Sequence, residues 1–545
     1  MNGLMMDTPL LVTEIMRYAD KNHPKGEVVS VTADSPRHRC TYADVFRRAR
    51  RLANALVAAG IREGDRVGTL AWNDYRHLEL YYAVSCMGAV LHTVNPRLFP
   101  EQVEYIINHA EDRLLFIDPT LLPLLAQLAG RLPTVRQTIV MTSEAGLPAA
   151  VAGKLEPYEA FIAGQPDQFD WPVLDERAAS SLCYTSGTTG HPKGVLFSHR
   201  STVLHAYAGC LPDVLGLSSR ETVLAVVPMF HANAWGLPYN GPIVGAKLVF
   251  PGPKMGDPAT LAALIEEESV THAAGVPTVW TGLLNYLDET GKRISTMKRT
   301  LVGGSAVPLK MIRDFEQKHG IVVQQGWGMT EMSPIGSVNS YAPDDGEPGG
   351  EDTWRRRALQ GRAVFGVDMK IVDEQGRELP WDGVSAGELK VRGPWVCSGY
   401  FRIGGSAAHD ADGWFATGDV AAIDADGYLH ITDRAKDVIK SGGEWISSVD
   451  MENCACGHPD VLMAAAIGVR HPKWEERPLL IVVPRQGRTP ARDSVLAHIA
   501  QHFAKWQLPD DVVLAESIPL TATGKIDKKR LREQYRDHLI SRESA

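Results

Sequence analysis

Between Tyr42 and about Gly361 the chain alternates helix-patterned stretches with short apolar runs, which restricts it to an α/β architecture built on parallel sheets. Val45, Ala49, Leu52, Ala53, Leu56 and Val57 recur at helical spacing over residues 42–59, behind a Thr41 suited to cap the helix. Residues 65–71 (DRVGTLA) read as a strand, 78–89 as a helix and 90–94 as a strand again. Further strands are expected at 114–117, 137–141 and 248–250, and a helix at 261–268. In such folds ligands bind at the carboxyl ends of the strands.

Past Gly361 the texture changes. Residues 367–372, 387–392 and 428–431 read as short strands separated by Gly and Asp turns, a β-rich module. A last α/β unit follows, with helices at 449–457 and 494–503 and strands at 464–469 and 479–483. The charged segment 433–437 lies between two strand signals and reads as a hinge, dividing the chain into domains 1–435 and 436–545. A chain of 545 residues is longer than one hydrophobic core normally serves, which agrees with this partition. The uncharged stretch 223–246 is broken by Pro228, Pro238 and Pro242, so it reads as buried strand and loop and not as a membrane span.

With a net charge of -9 there is no overall basic field for nucleic acid or anionic lipid, so a phosphate-bearing ligand must be held by a local device. Seven scattered cysteines fit reduced thiols, and the opening MNGLMMDTPL has no basic segment, so a cytoplasmic protein is expected. The local device is at 184–194, YTSGTTGHPKG. Glycines let backbone amides approach phosphate oxygens, Ser and Thr hydroxyls donate to them, and Lys193 adds a charge. The spacing of Gly187, Gly190 and Lys193 departs from that of the common phosphate loop.

This segment resembles the signature of the adenylate-forming superfamily: acyl-CoA synthetases, peptide-synthetase adenylation domains and luciferases. The family's other motifs follow in order, so the resemblance covers nearly the whole chain. It implies a large N-terminal adenylating domain of α/β sheets plus a β-rich module, with a small mobile C-terminal α+β domain. It also implies ATP, Mg²⁺ and coenzyme A as reactants and cofactor. Thr185, Ser186, Gly187, Thr188, Thr189, Gly190 and Lys193 would cradle the ATP phosphates. In GWGMTE, Thr330 would meet the α-phosphate, Glu331, with Thr185, would hold the metal, and Trp327 would bind ATP, while Gln325 and Gly326 would face the adenine and acyl boundary. In WFATGDVA, Asp419 would accept from the ribose hydroxyls. In DRAKDVIKSGGEWIS, Arg434 would reach the ribose and Lys436 would be the pivot. Lys440, Gly442, Gly443, Glu444 and Trp445 would line the site during thioester formation. In TATGKIDKKRL, Lys525 would bridge the acid and ATP.

The reaction implied is attack of a carboxylate on the α-phosphorus of ATP, loss of pyrophosphate, and transfer of the acyl group to the thiol of coenzyme A. PMFHANAW and VGGSAVP would border the acid through His231, Ala232, Trp235, Gly303 and Gly304. His231 reads equally as a hydrogen-bonded core imidazole or as a base for the thiol. Trp235 resembles an aromatic gate in bacterial fatty-acyl-CoA synthetases and reads equally as a packed indole. HPKWEERPLLIVV and KWQLPDDVV resemble bacterial medium- and long-chain fatty-acyl-CoA ligases and 3-methylmercaptopropionate:CoA ligases. Homodimerisation is expected from the same resemblance. Cys454 and Cys456 stand near His458, but the spacing supplies too few zinc ligands and helix packing is the better reading. A stand-alone enzyme that loads a carrier protein shares these motifs. A non-catalytic nucleotide-binding regulator is the alternative of another class, opposed by the joint presence of Lys525, Glu331 and Asp419.

Overall fold

The computed structural model describes all residues except 2, 150, 152, 186–190, 341–349, 405–407, 442–443, 472–473, 522–524 and 544–545. Thr41 caps the helix Tyr42–Ala58. Its hydroxyl accepts from the Asp44 amide at 3.2 Å, and the Asp44 carboxylate accepts from the Thr41 amide at 3.0 Å. Val45, Phe46, Ala49, Leu52, Ala53 and Leu56 are buried on one face of this helix, beside the helix Tyr75–Cys86. All of Tyr75–Cys86 is buried, as befits a helix in contact with strands of both large sheets.

Seven of the described strands form the first sheet, in the order Glu156–Pro157, Gln137–Val140, Asp112–Ile117, Arg66–Leu70, Val90–Thr93, Ala179–Tyr184, Gly194–Ser198. Every pair is parallel except the last, whose antiparallel partners flank the glycine-rich loop. Nine described strands form the second sheet. Its parallel centre includes Thr222–Ala225, His272–Gly275, Arg299–Gly303 and Val322–Gly328, whose carboxyl ends bring Gly303 and the Gly326–Gly328 segment to one side. One apolar cluster lies between the sheets, and two more cover their outer faces under helices such as Pro100–Ala110 and Pro277–Thr290. The β-rich module is an antiparallel sheet of Asp368–Val372, Gly387–Arg392, Phe415–Ile423 and Leu429–Arg434.

The last unit is built on the paired strands Val461–His471 and Glu475–Pro484. Alternation sends Ala464, Ala466, Leu480 and Val482 to one apolar cluster and Ala465, Ile467, Leu479 and Ile481 to another, so both faces carry helices. Cys454 and Cys456 belong to the helix Ser448–Cys456 and pack against the first of these clusters. Among the described residues no helix is long and apolar enough to cross a membrane.

The stretch 223–246 corrects the expectation of strand and loop. After the strand Thr222–Ala225 it holds a turn and then the helix Leu237–Val244. Pro238 lies in the first turn of that helix, where its missing N–H costs nothing, so the proline does not break it.

Candidate active site

A cavity of about 590 Å³ opens where the carboxyl ends of the large sheets meet the β-rich module and the C-terminal unit. One of its walls includes a turn of unusual hand. Ala232, Asn233, Ala234 and Trp235 have φ of 44°, 52°, 49° and 55°, and Gly236 follows at 85°. A left-handed conformation costs a non-glycine residue about 1–2 kcal/mol. Asn233 holds this one: its amide donates to the Ser181 hydroxyl at 2.9 Å and its carbonyl accepts from the Tyr81 hydroxyl at 3.2 Å. The turn brings Trp235 against Gly303, where an added Cβ would stand 3.3 Å from the indole and 2.7 Å from the Gly326 carbonyl oxygen. Only glycine leaves that wall as it is.

Elsewhere on the cavity, the two ends of the glycine-rich segment are tied together. The Thr185 amide donates to the Lys193 carbonyl at 2.9 Å, and the Lys193 amide donates to Thr185 Oγ1 at 3.1 Å. The Lys193 ammonium lies 4.8 Å from the Tyr400 ring centroid, and the Tyr400 hydroxyl donates to Glu331 Oε1 at 2.8 Å. Thr330 and Glu331, both buried, begin the short helix Thr330–Met332. Thr185 and Glu331 thus present hard oxygen donors to one cavity, the kind a hydrated Mg²⁺ accepts.

Beside an adjoining cavity, Asp419 is 2% exposed. The Trp327 indole N–H donates to its Oδ2 at 2.9 Å, and Arg434 Nε pairs with its Oδ1 at 2.7 Å. A carboxylate accepts about four hydrogen bonds, so each oxygen keeps a free direction. Gly304, Gln325, Gly326, Trp327, Asp419 and Arg434 line this adjoining cavity, of about 260 Å³. Gln325 lines this second cavity and not the main one, and its buried Oε1 has no hydrogen-bond partner among the described residues.

Lys525 reaches the main cavity from the C-terminal unit. Part of the residue is open to solvent, yet protein surrounds the ammonium; burial lowers its pKa to about 8, aided by the Arg434 and Lys436 cations and opposed by Asp419 and Glu331. Burial, with the cations of Lys525 and Arg97, lowers His231 to about 4. Its imidazole lines the cavity and is neutral at pH 7, with no hydrogen-bond partner among the described residues.

The main cavity therefore gathers Thr185, Lys193, His231, Ala232, Trp235, Gly303, Gly304, Gly326, Trp327, Thr330, Glu331, Arg434 and Lys525. Lys436 and Lys440 are exposed and line neither cavity. Lys440 lies on the strand Ile439–Ser441, outside the site that Lys525 enters. Ser186, Gly187, Thr188, Thr189, Gly190, Gly442 and Gly443 fall outside the described residues, and Glu444 and Trp445 are described only as backbone of the strand Glu444–Ile446. Sequence reading missed Tyr400, Arg97 and His191, which also line the cavity. His191 was within the quoted loop, but Tyr400 meets Glu331 across 69 positions and no local pattern announces it.

Residues 16–401 match the AMP-binding enzyme family, and residues 450–525 match the AMP-binding enzyme C-terminal domain. The chain is 49% identical over 539 residues to a 3-methylmercaptopropionyl-CoA ligase of Ruegeria lacuscaerulensis, covering 99% of this chain and 100% of the relative. It is 48% identical over 545 residues to a medium-chain-fatty-acid–CoA ligase of Ectopseudomonas oleovorans, covering 100% of both. Among solved structures, the anthranilate CoA ligase AuaEII in complex with anthranoyl-AMP superposes with a TM-score of 0.87 at 25% identity, over 98% of this chain and 99% of that one.

Proposed function

The chain belongs to the AMP-binding enzyme family, and from that premise we propose that it is an ATP-dependent acid:CoA ligase acting through an acyl-adenylate on a fatty acid or 3-methylmercaptopropionate. The observation that carries the reading is the meeting in one cavity of Lys525 from the C-terminal unit with Thr185, Lys193, Thr330 and Glu331 from the large sheets. In the first step the acid carboxylate attacks the α-phosphorus of ATP and pyrophosphate leaves. Lys193 and Lys525 neutralise charge, Thr330 donates to the α-phosphate, and Asp419 accepts from the ribose diol while Trp327 and Arg434 fix its orientation. Thr185 and Glu331 are the residues that would hold Mg²⁺, whose charge offsets that of the phosphates.

In the second step the coenzyme A thiol attacks the acyl carbonyl and AMP leaves. Domains 1–435 and 436–545 would turn about Lys436 between the steps, withdrawing Lys525 and admitting Lys440 with the 442–445 segment. The described arrangement, with Lys525 lining the cavity and Lys440 outside it, suits the first step. Burial is the main cause of the low His231 value, and withdrawing Lys525 removes one of the two cations that add to it. A cytoplasmic setting is in keeping with the free cysteines, and light scattering on the purified chain tests the proposed homodimer.

The deciding assay is AMP release with ATP and Mg²⁺, with and without coenzyme A, across straight-chain acids from acetate to palmitate and 3-methylmercaptopropionate. AMP release that requires both acid and coenzyme A upholds the ligase reading. Pyrophosphate exchange indifferent to coenzyme A would replace it with carrier-protein loading.

A further inference from the structure

Tyr184 and His191 stand seven residues apart, one just before the phosphate loop and one near its end, and both rest on the helix Pro100–Ala110. Tyr105 and His109 are four residues apart on that helix and so share a face. Their rings stack with centroids 5.4 Å apart and planes at 22°. His109 Nδ1 is 2.6 Å from the Tyr184 hydroxyl. Burial pushes the Tyr184 phenol well above its usual range and His109 below its own, so the phenol donates and the imidazole accepts. Tyr105 also stacks on His191, with centroids 4.4 Å apart and planes at 26°.

The helix end is itself anchored. Arg402 Nη1 donates to the His109 carbonyl at 3.0 Å and to Glu111 Oε1 at 2.8 Å. The Phe401 amide donates to the Gly194 carbonyl at 2.8 Å. Three successive residues thus join Glu331 (through Tyr400), the loop's far end and the helix.

A ring held by stacking keeps both its nitrogens for other partners. His191 lines the cavity with Thr185 and Lys193, and its imidazole has no hydrogen-bond partner among the described residues. We propose that His191 is a further contact of the ATP polyphosphate, and that Tyr105 and His109 are positioning residues that set its reach. The inference rests on the ligase reading. Stacking fixes the plane of the ring, and the hydrogen bond from Tyr184 to His109 fixes the helix against the start of the loop.

The test uses the full-length enzyme and two assays: pyrophosphate exchange, and thioester formation from chemically prepared acyl-adenylate with coenzyme A. His191→Ala is expected to raise KM for ATP roughly tenfold, while KM for the acid and the rate from acyl-adenylate stay within about twofold. His191→Gln keeps an N–H donor and recovers part of the loss. Tyr105→Leu reproduces most of the effect and adds little on top of His191→Ala, whereas Tyr105→Phe keeps the stack and restores ATP affinity. A KM for ATP within about twofold of wild type in His191→Ala overturns the inference, as does an equal loss from acyl-adenylate or full additivity with Tyr105→Leu. Calorimetric titration with ATP alone reads the same contact as weaker binding by His191→Ala. It thus separates failure of this inference from a wild-type protein that adenylates no acid.

Discussion

In the proposed reaction Lys525 must carry its charge where protein disfavours it. Burial is the largest cause of its lowered pKa, about 8, and the Arg434 and Lys436 cations add to it. The charged form is the useful one, and it is lost as pH rises. The expected result is that kcat/KM for acyl-adenylate formation falls as pH passes upward through about 8. Lys525→Arg should move that limb to higher pH, because guanidinium does not titrate there. Lys525→Ala should lower adenylation by about 10²–10³-fold while sparing thioester formation from supplied acyl-adenylate. His231 has the opposite difficulty. With a pKa of about 4 it is neutral at pH 7 but weakly basic. Moving a proton to it from a thiol of pKa about 8.5 is uphill by roughly 6 kcal/mol. If it assists the thiol, it does so after Lys525 has withdrawn. His231→Ala should then slow the thioester step more than adenylation; equal losses in the two half-reactions would make the residue part of the acyl wall and no more.

The turn Ala232–Gly236 shows at the scale of an element how strain is held in place. Its four left-handed non-glycine residues are fastened by Asn233 through Ser181 and Tyr81. Asn233→Ala removes those buried bonds and leaves the Ser181 hydroxyl without that donor. It should destabilise the protein by about 2 kcal/mol, read as a lowered Tm, and blunt discrimination between acids of neighbouring length as Trp235 drifts from Gly303. An unchanged Tm together with unchanged selectivity would mean that the turn is held elsewhere. None of this was legible in PMFHANAW, because an Ala-Asn-Ala-Trp run carries no residue that demands positive φ, and asparagine merely tolerates it. The features that were legible had local causes: the Thr41 cap of the helix Tyr42–Ala58 and the apolar runs that form strands such as Arg66–Leu70 and Val90–Thr93. Contacts such as Tyr400 with Glu331, or Tyr105 with His191, depend on which distant strands become neighbours, and no spacing rule reports that.

At the scale of the whole molecule, a buried polar cluster crosses the segment proposed to pivot. Asp433 ends the β-rich module and is 1% exposed; its Oδ2 accepts from the Ser448 amide at 2.8 Å and from the Ser448 hydroxyl at 2.6 Å. Lys528 pairs with Glu452 at 2.9 Å, hydrogen-bonds the Ser448 hydroxyl, and stands three residues after Lys525. Burial raises both carboxylates, and their charges in turn raise Lys528 above its usual value despite its own burial. Ser448, Glu452 and Lys528 would travel with the C-terminal domain, whereas Asp433 would stay behind. Rotation about Lys436 would therefore part Asp433 from Ser448, so this contact favours the state in which Lys525 lines the cavity. Asp433→Asn keeps the shape and weakens the attraction, and should lower adenylation roughly tenfold. Thioester formation from supplied acyl-adenylate should stay unchanged or quicken, because the rotated state loses less. Removing one member of a buried ionic cluster also destabilises the fold, so the two half-reactions must be measured well below the Tm of the variant. Equal losses in both would assign the cluster to holding the fold, and only unequal ones would assign it to the balance between the two domain orientations.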